Sequence, residues 1–201
     1  MRKIGIVLAA LACLSLMAFP ASAAKGDMAF GLTGGMAMPM GNFSDIFKPG
    51  IGVGVYGDYL VTEQFAIGVD GMYNQHSAKD EWNALLSLLA GVDIEAKWTT
   101  FQFGAHGKWM PPMKDSPAAP YVAFGAGMYN LKAKVEGGGE SGEASLNKIG
   151  VNGGLGVDFK VNPQFTIGVG GAFHHVMTEG DALQYFNVGV KLGFMTTGAT
   201  K

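Results

Sequence analysis

Two groups of residues in this chain have the types and spacing to do chemistry. His174 and His175 are adjacent, with Thr178 and Glu179 just beyond them. An imidazole to take a proton, a hydroxyl and an orienting carboxylate are the parts that acyl transfer uses. In an extended segment, however, neighbouring side chains point to opposite faces, which puts His174 inward and His175 outward and separates the pair. A metal site built from His106 and His174 lacks the i, i+4 or Cys-x-x-Cys spacing that marks such sites. The residues therefore give no catalytic, metal or cofactor assignment. The second group is Asp58, Asp70, His106, Lys108, Asp158, Lys160, His174 and Lys191. Each lies on the small or polar face of an alternating run, where acids and bases can pair. Asp58 and Asp158 occupy matching places, with Lys160 and Lys191 as the expected partners.

The elements that position these residues are strands. In Tyr185 to Phe194, Phe186, Val188, Val190, Leu192 and Phe194 share one face, and Asn187, Gly189, Lys191 and Gly193 share the other. A period of two specifies a β-strand. The same alternation recurs at 28–36, 51–61, 65–74, within 92–110, at 121–134, 149–159 and 165–174, which makes eight strands. A change of phase between Trp98 and Phe101 predicts a bulge near Thr99-Thr100. Pro39 to Pro49, the proline-rich 111–120 and Glu136 to Ser145 read as loops, the last as a solvated, mobile one. Asp80 to Gly91 has acids at its start, helix formers in the middle and a closing glycine, which predicts a short helix in a long loop. A repeat at an offset of 100 matches Gly54, Asp58, Gln64, Phe65 and Ile67 to Gly154, Asp158, Gln164, Phe165 and Ile167. Strands two and three therefore correspond to strands six and seven.

The N-terminus reads as an export signal: Arg2 and Lys3, an apolar run from Ile4 to Phe19, Pro20, and the cleavage pattern Ala21-Ser22-Ala23. This divides the chain into a signal peptide at 1–23 and a mature domain at 24–201. Cys13 is the one cysteine, so the mature domain forms no disulfide. Fourteen basic residues against 16 acidic ones give no basic patch for nucleic acid. Glycine, at 32 of 201 residues, is about twice its usual share of roughly 7 %. It has no collagen period and alternates with Val, Ile and aromatics instead.

Strands of about ten residues joined by alternating short and long links fit a small transmembrane barrel. The short links are Thr62-Glu63-Gln64 and Asn162-Pro163-Gln164. A water-soluble barrel would carry its polar face outward, yet here the apolar face ends in aromatics, as lipid and its interfaces require. Charges of both signs in a dry sandwich core would each cost several kcal/mol, whereas in a lumen they can pair and keep some water. The fold class is all-β: an eight-stranded antiparallel up-and-down transmembrane β-barrel, with an N-terminal signal peptide and a short helix in one extracellular loop.

The chain resembles the small outer-membrane β-barrel families of Gram-negative bacteria, of the OmpA-transmembrane-domain, OmpX and OmpW type. The stretch PYVAFGAG at 120–127 resembles their mid-chain strand. Asn187, Gly189, Leu192 and Phe194 resemble the signal read by the barrel assembly machinery, although Met195 to Lys201 follow it here. The resemblance implies an outer-membrane location, a lipid surround, the assembly machinery as a partner during biogenesis, and no cofactor. It also implies a structural or surface-interaction role with weak passive permeation, or alternatively a narrow OmpW-like channel for small or hydrophobic solutes. Lipid A deacylases of similar size resemble His-x-Ser followed by an acid, but here Met177 stands in place of Ser, so no enzymatic activity is expected. The residues name no external ligand.

Overall fold

A computed structural model describes residues 25–112 and 116–196. The expected signal peptide at 1–23, with Cys13, lies outside the described residues. Eight strands, β1 (Met28–Met40), β2 (Gly50–Leu60), β3 (Phe65–Ser77), β4 (Ile94–Trp109), β5 (Ala118–Gly137), β6 (Glu140–Lys160), β7 (Phe165–Val176) and β8 (Leu183–Thr196), form a closed barrel in sequence order. Each strand is antiparallel to the next, and β1 closes on β8 with Phe30 opposite Phe194 and Gly35 opposite Gly189.

Burial is inverted relative to a soluble protein. Phe124 and Leu155 are 68% and 69% exposed, whereas Asp58, Asn74, Gln102, Lys108, His174 and Asn187 are buried. Outward apolar and inward polar side chains suit a hydrocarbon surround, where the exposed apolar surface carries no hydration penalty. Among the described residues no helix is long and apolar enough to cross a membrane.

Glycine makes closure possible at the β1–β8 seam. A Cβ on Gly35 would meet the Val188 carbonyl oxygen, and one on Gly189 would meet the Gly34 carbonyl oxygen. On the lipid side, Phe30 lies over its cross-strand partner Gly57, and Phe124 lies over Gly153. The rings cover backbone that glycine leaves bare.

One end has short links, 61–64 and 161–164, and these show the repeat as structure. Asp58 pairs with Gly68 and Asp158 with Gly168 in the same register. Thr62 Oγ1 accepts from the N–H groups of Gln64 and Phe65, and Asn162 Oδ1 accepts from those of Gln164 and Phe165. The duplicated sequence thus builds two equivalent hairpins on opposite sides of the barrel.

The other end carries the connections 41–49, 78–93 and 177–182 together with the tall β5–β6 hairpin. Helix α1 (Asn42–Ile46) occupies the stretch 39–49 that reads as a loop, and helix α2 (Asp80–Ala90) forms where a helix is expected. Gly91 ends α2 with φ 73° and donates its N–H to the Ser87 carbonyl. Two expectations are corrected. There is no bulge at Thr99-Thr100: β4 pairs without interruption with β3 and β5 through these residues. Trp98 faces inward with Thr100 and Gln102 because it belongs to an aromatic cap over the lumen and not to the lipid belt. The stretch 136–145 is not a loop but part of a β-hairpin, with Gly137 opposite Glu140 and Gly138 and Gly139 as its two-residue turn. Their φ values of 59° and 85° match the turn whose twist suits paired strands.

Candidate functional site

The inward faces build a polar lumen in two levels. At the lower level, His106 of β4 lies between two carboxylates, with Nδ1 2.8 Å from Asp70 and Nε2 2.8 Å from Asp58. Each ring nitrogen can face a carboxylate as a donor only in the imidazolium form. Gln102 donates to Asp70 at 2.6 Å. Lys108 lies 2.6 Å from Asp158 and 3.7 Å from Asp58. Lys191 is 4.0 Å from Asp158, and its Nζ stands 4.4 Å from the Tyr56 ring centre and 4.5 Å from that of Tyr121. Three acids therefore meet two lysines and one imidazole, so the charges at this level balance.

At the upper level, Tyr129 and the His174 Nδ1 are 3.0 Å apart, and His174 stacks on Tyr185 with ring centres 4.5 Å apart. Asn152 donates to the Tyr129 hydroxyl. Above them, Leu131, Val176 and Leu183 pack with both tyrosines, and Phe43 and Trp98 lean on this cluster. Phe43 comes from α1, which explains why that short segment is helical: it turns one ring down onto His76 and Trp98. Asn74, Gln102, Tyr129 and Tyr185 are 0% exposed. Between the levels lies a cavity of about 160 Å³, lined by His174, Asn187, Asn152, Tyr121 and Lys191 among others. Gln102 Oε1 and Asn187 Oδ1 are buried there without a hydrogen-bond partner among the described groups.

The predicted residues separate into those brought together and those kept apart. Asp58, Asp70, His106, Lys108, Asp158 and Lys191 share the lower level. His174 belongs to the upper one and touches neither His106 nor Lys108. Lys108, two strands away, bonds Asp158 at 2.6 Å and Lys191 approaches it to 4.0 Å, while Lys160 lies at the end of β6 with its backbone N–H bonded to the Pro117 carbonyl. Sequence distance hides this pairing because β4 and β6 meet only across the lumen. Tyr56, Tyr121, Tyr129 and Tyr185 were not singled out as site residues. The shared face of Tyr121 and Tyr129 was the available signal.

The catalytic candidates are dispersed. His174 is inside, His175 is bonded to Gln184 on the wall, Thr178 is bonded to Asp181, and Glu179 pairs with Lys148 at 2.9 Å. Of the assembly-signal residues, Asn187 faces the lumen, Gly189 lies in the seam, and Leu192 and Phe194 face lipid.

Outside the lumen, β5 and β6 rise beyond their neighbours. β6 meets β7 only from Gly150, opposite Val176, while it pairs with β5 up to Glu140. Lys132 bridges Glu143 at 2.6 Å, and Lys97 and Lys134 both bond Glu136. Those two ammonium groups hold the Glu136 carboxyl below the usual glutamate range.

A family model described as the outer membrane protein beta-barrel domain matches residues 7–194. The chain belongs to this family. It is an integral outer-membrane β-barrel protein of Gram-negative type. Its fold is similar to Neisserial surface protein A, at 15% identity over 84% of this chain and 98% of that one, with a TM-score of 0.58. It is also similar to Ail, the attachment invasion locus protein of Yersinia pestis, at 16% identity, 86% and 99% coverage and a TM-score of 0.54. OprG of Pseudomonas aeruginosa aligns at 13% identity, 89% and 100% coverage and a TM-score of 0.52. A comparison with curated protein sequences gives no match.

Proposed function

We propose that this barrel is closed to solutes and works by presenting its long-loop end as a binding surface. Such barrels keep their short turns on the periplasmic side, which supports reading the long-loop end as the outer one. The observation that carries the proposal is the β6 edge from Glu140 to Lys148, paired on one side only. Every residue from Glu140 to Asn147 is exposed, and Lys148 is half-buried. An unpaired edge offers backbone donors and acceptors to an added strand, so the partner is an extended polypeptide. Glu140, Glu143 and Lys148 supply the side-chain selectivity. Two of the similar barrels carry attachment or surface in their names, which fits this reading. The reading contains no catalytic step, since His174, His175, Thr178 and Glu179 make separate contacts. The test is to replace 134–143 with an Asn-Gly turn. Adhesion to surfaces should fall while heat-modifiable folding is unchanged, and unaltered adhesion would contradict the proposal.

The cavity of about 160 Å³, with its two unpaired amide oxygens, favours a second reading as a narrow channel. It requires Tyr129 and Tyr185 to move, and single-channel recording separates the two readings.

A further inference from the structure

Helix α2 is inverted. Its polar side chains hold it to the sheet: Asn83 Oδ1 accepts from the Ala96 N–H at 3.1 Å, and Ser87 Oγ accepts from the Ile94 N–H at 2.8 Å. β3 ends at Ser77, so these bonds cover the β4 edge that β3 leaves open. The apolar side chains face away. Leu88 and Leu89 are 80% and 76% exposed, and Leu85 continues the stripe before Gly91 ends the helix. The spacing i, i+3, i+4 is that of a helix face that inserts into a groove.

Acyl chains do not suit this stripe. The bonds to Ala96 and Ile94 place α2 alongside residues 94–96. The adjoining Lys97 bridges both Glu95 and Glu136, and Lys134 also bonds Glu136. The outward side chains at that height are therefore charged and hydrated. A membrane-surface helix also carries Lys or Arg on its polar face, whereas α2 carries Asp80 and Glu81 and no basic residue. A second copy does not suit it either. Asp80 is held by Lys48 at 2.6 Å, but with Glu81 at one end and Asp93 just past the other, both parallel and antiparallel pairing still set acid against acid.

We infer that the Leu85–Leu88–Leu89 stripe docks into an apolar groove, rimmed by basic side chains, on a partner protein outside the cell. This rests on the reading above that the long-loop end faces outward. The test uses the full chain in the outer membrane of intact cells, with a photoreactive phenylalanine analogue at Leu88 and, as control, at Ala90, which is exposed but off the stripe. The expected result is an adduct with a second protein from position 88 only. A synthetic peptide of residues 80–93 should abolish it, and the same peptide with Leu85, Leu88 and Leu89 changed to Ser should not. Raising salt from about 0.05 M to about 0.5 M should reduce the adduct severalfold, because rim charges are screened. Adducts to lipid, a dimer of this chain, or the absence of a peptide-competed adduct would each overturn the inference. Labelling of Leu88→Cys by an impermeant maleimide in intact cells checks the orientation separately. No labelling would sink the outward reading, and labelling without the adduct would sink only the docking partner.

Discussion

Lys108 on β4 and Asp158 on β6 meet across the lumen at 2.6 Å, though β5 lies between their strands. Lys108 also lies 3.7 Å from Asp58 on β2, so one ammonium ties three strands that are not neighbours. Lys108→Met leaves a buried carboxylate without its cation, a change that costs about 3 kcal/mol in comparable sites. Urea unfolding in lipid vesicles should show that loss, and Lys108→Met with Asp158→Leu should recover most of it. Equal loss in the single and double variants would mean that the pair is not what holds these strands.

Gly189 separates two explanations of the last strand. A Cβ there would strike the Gly34 carbonyl across the seam, and backbone cannot step aside as a side-chain tip can. Gly189→Ala should therefore fold poorly even in detergent micelles, where no assembly machinery is present. Phe194, half-exposed on the lipid face, has no such clash. Phe194→Ala should fold normally in micelles and insert less efficiently in cells, read as the heat-modifiable fraction of the membrane-bound protein. Intact insertion in cells would remove Phe194 from the assembly signal.

The β5–β6 hairpin should loosen in acid. Lys134 and Lys97 hold the Glu136 carboxyl below its ordinary range, so the contribution is fully present above the unfolded carboxylate range. It is lost as pH falls through the lower value in the folded protein. Protection of the Val135 and Gly137 amides, taken relative to the intrinsic exchange rate at each pH, should therefore fall at pH values below the ordinary glutamate range, and Glu136→Gln should show low protection at neutral pH. Protection that does not vary with pH in the native chain would show that the ion pairs do not order the hairpin.

The strands and their faces were legible because each depends on a period of two within about ten residues. The short links and the repeat at offset 100 were legible for the same reason. What escaped depends on partners far apart in the chain. Glu136 to Ser145 reads as a loop by composition, yet its two glycines adopt positive φ and its charges find cross-strand partners. Trp98 reads as a break in phase because it faces inward as lipid-facing aromatics do not, and only Phe43 of α1 and Phe47 just past it explain why. The bond between Lys108 and Asp158 is hidden because the two residues are 50 apart in the chain and meet only across the lumen. The inversion of α2 was hidden because Asn83 and Ser87 reveal their role only beside the open edge of β4.

The most direct test of a closed barrel is single-channel recording of the native chain in a planar bilayer. Tyr129→Ala with Tyr185→Ala serves as the opened control, because it removes two fully buried rings from above the cavity. A flat trace from the native chain, with steps from the double variant, is the predicted result. Stepwise conductance from the native chain, altered by Lys191→Ala, would contradict it.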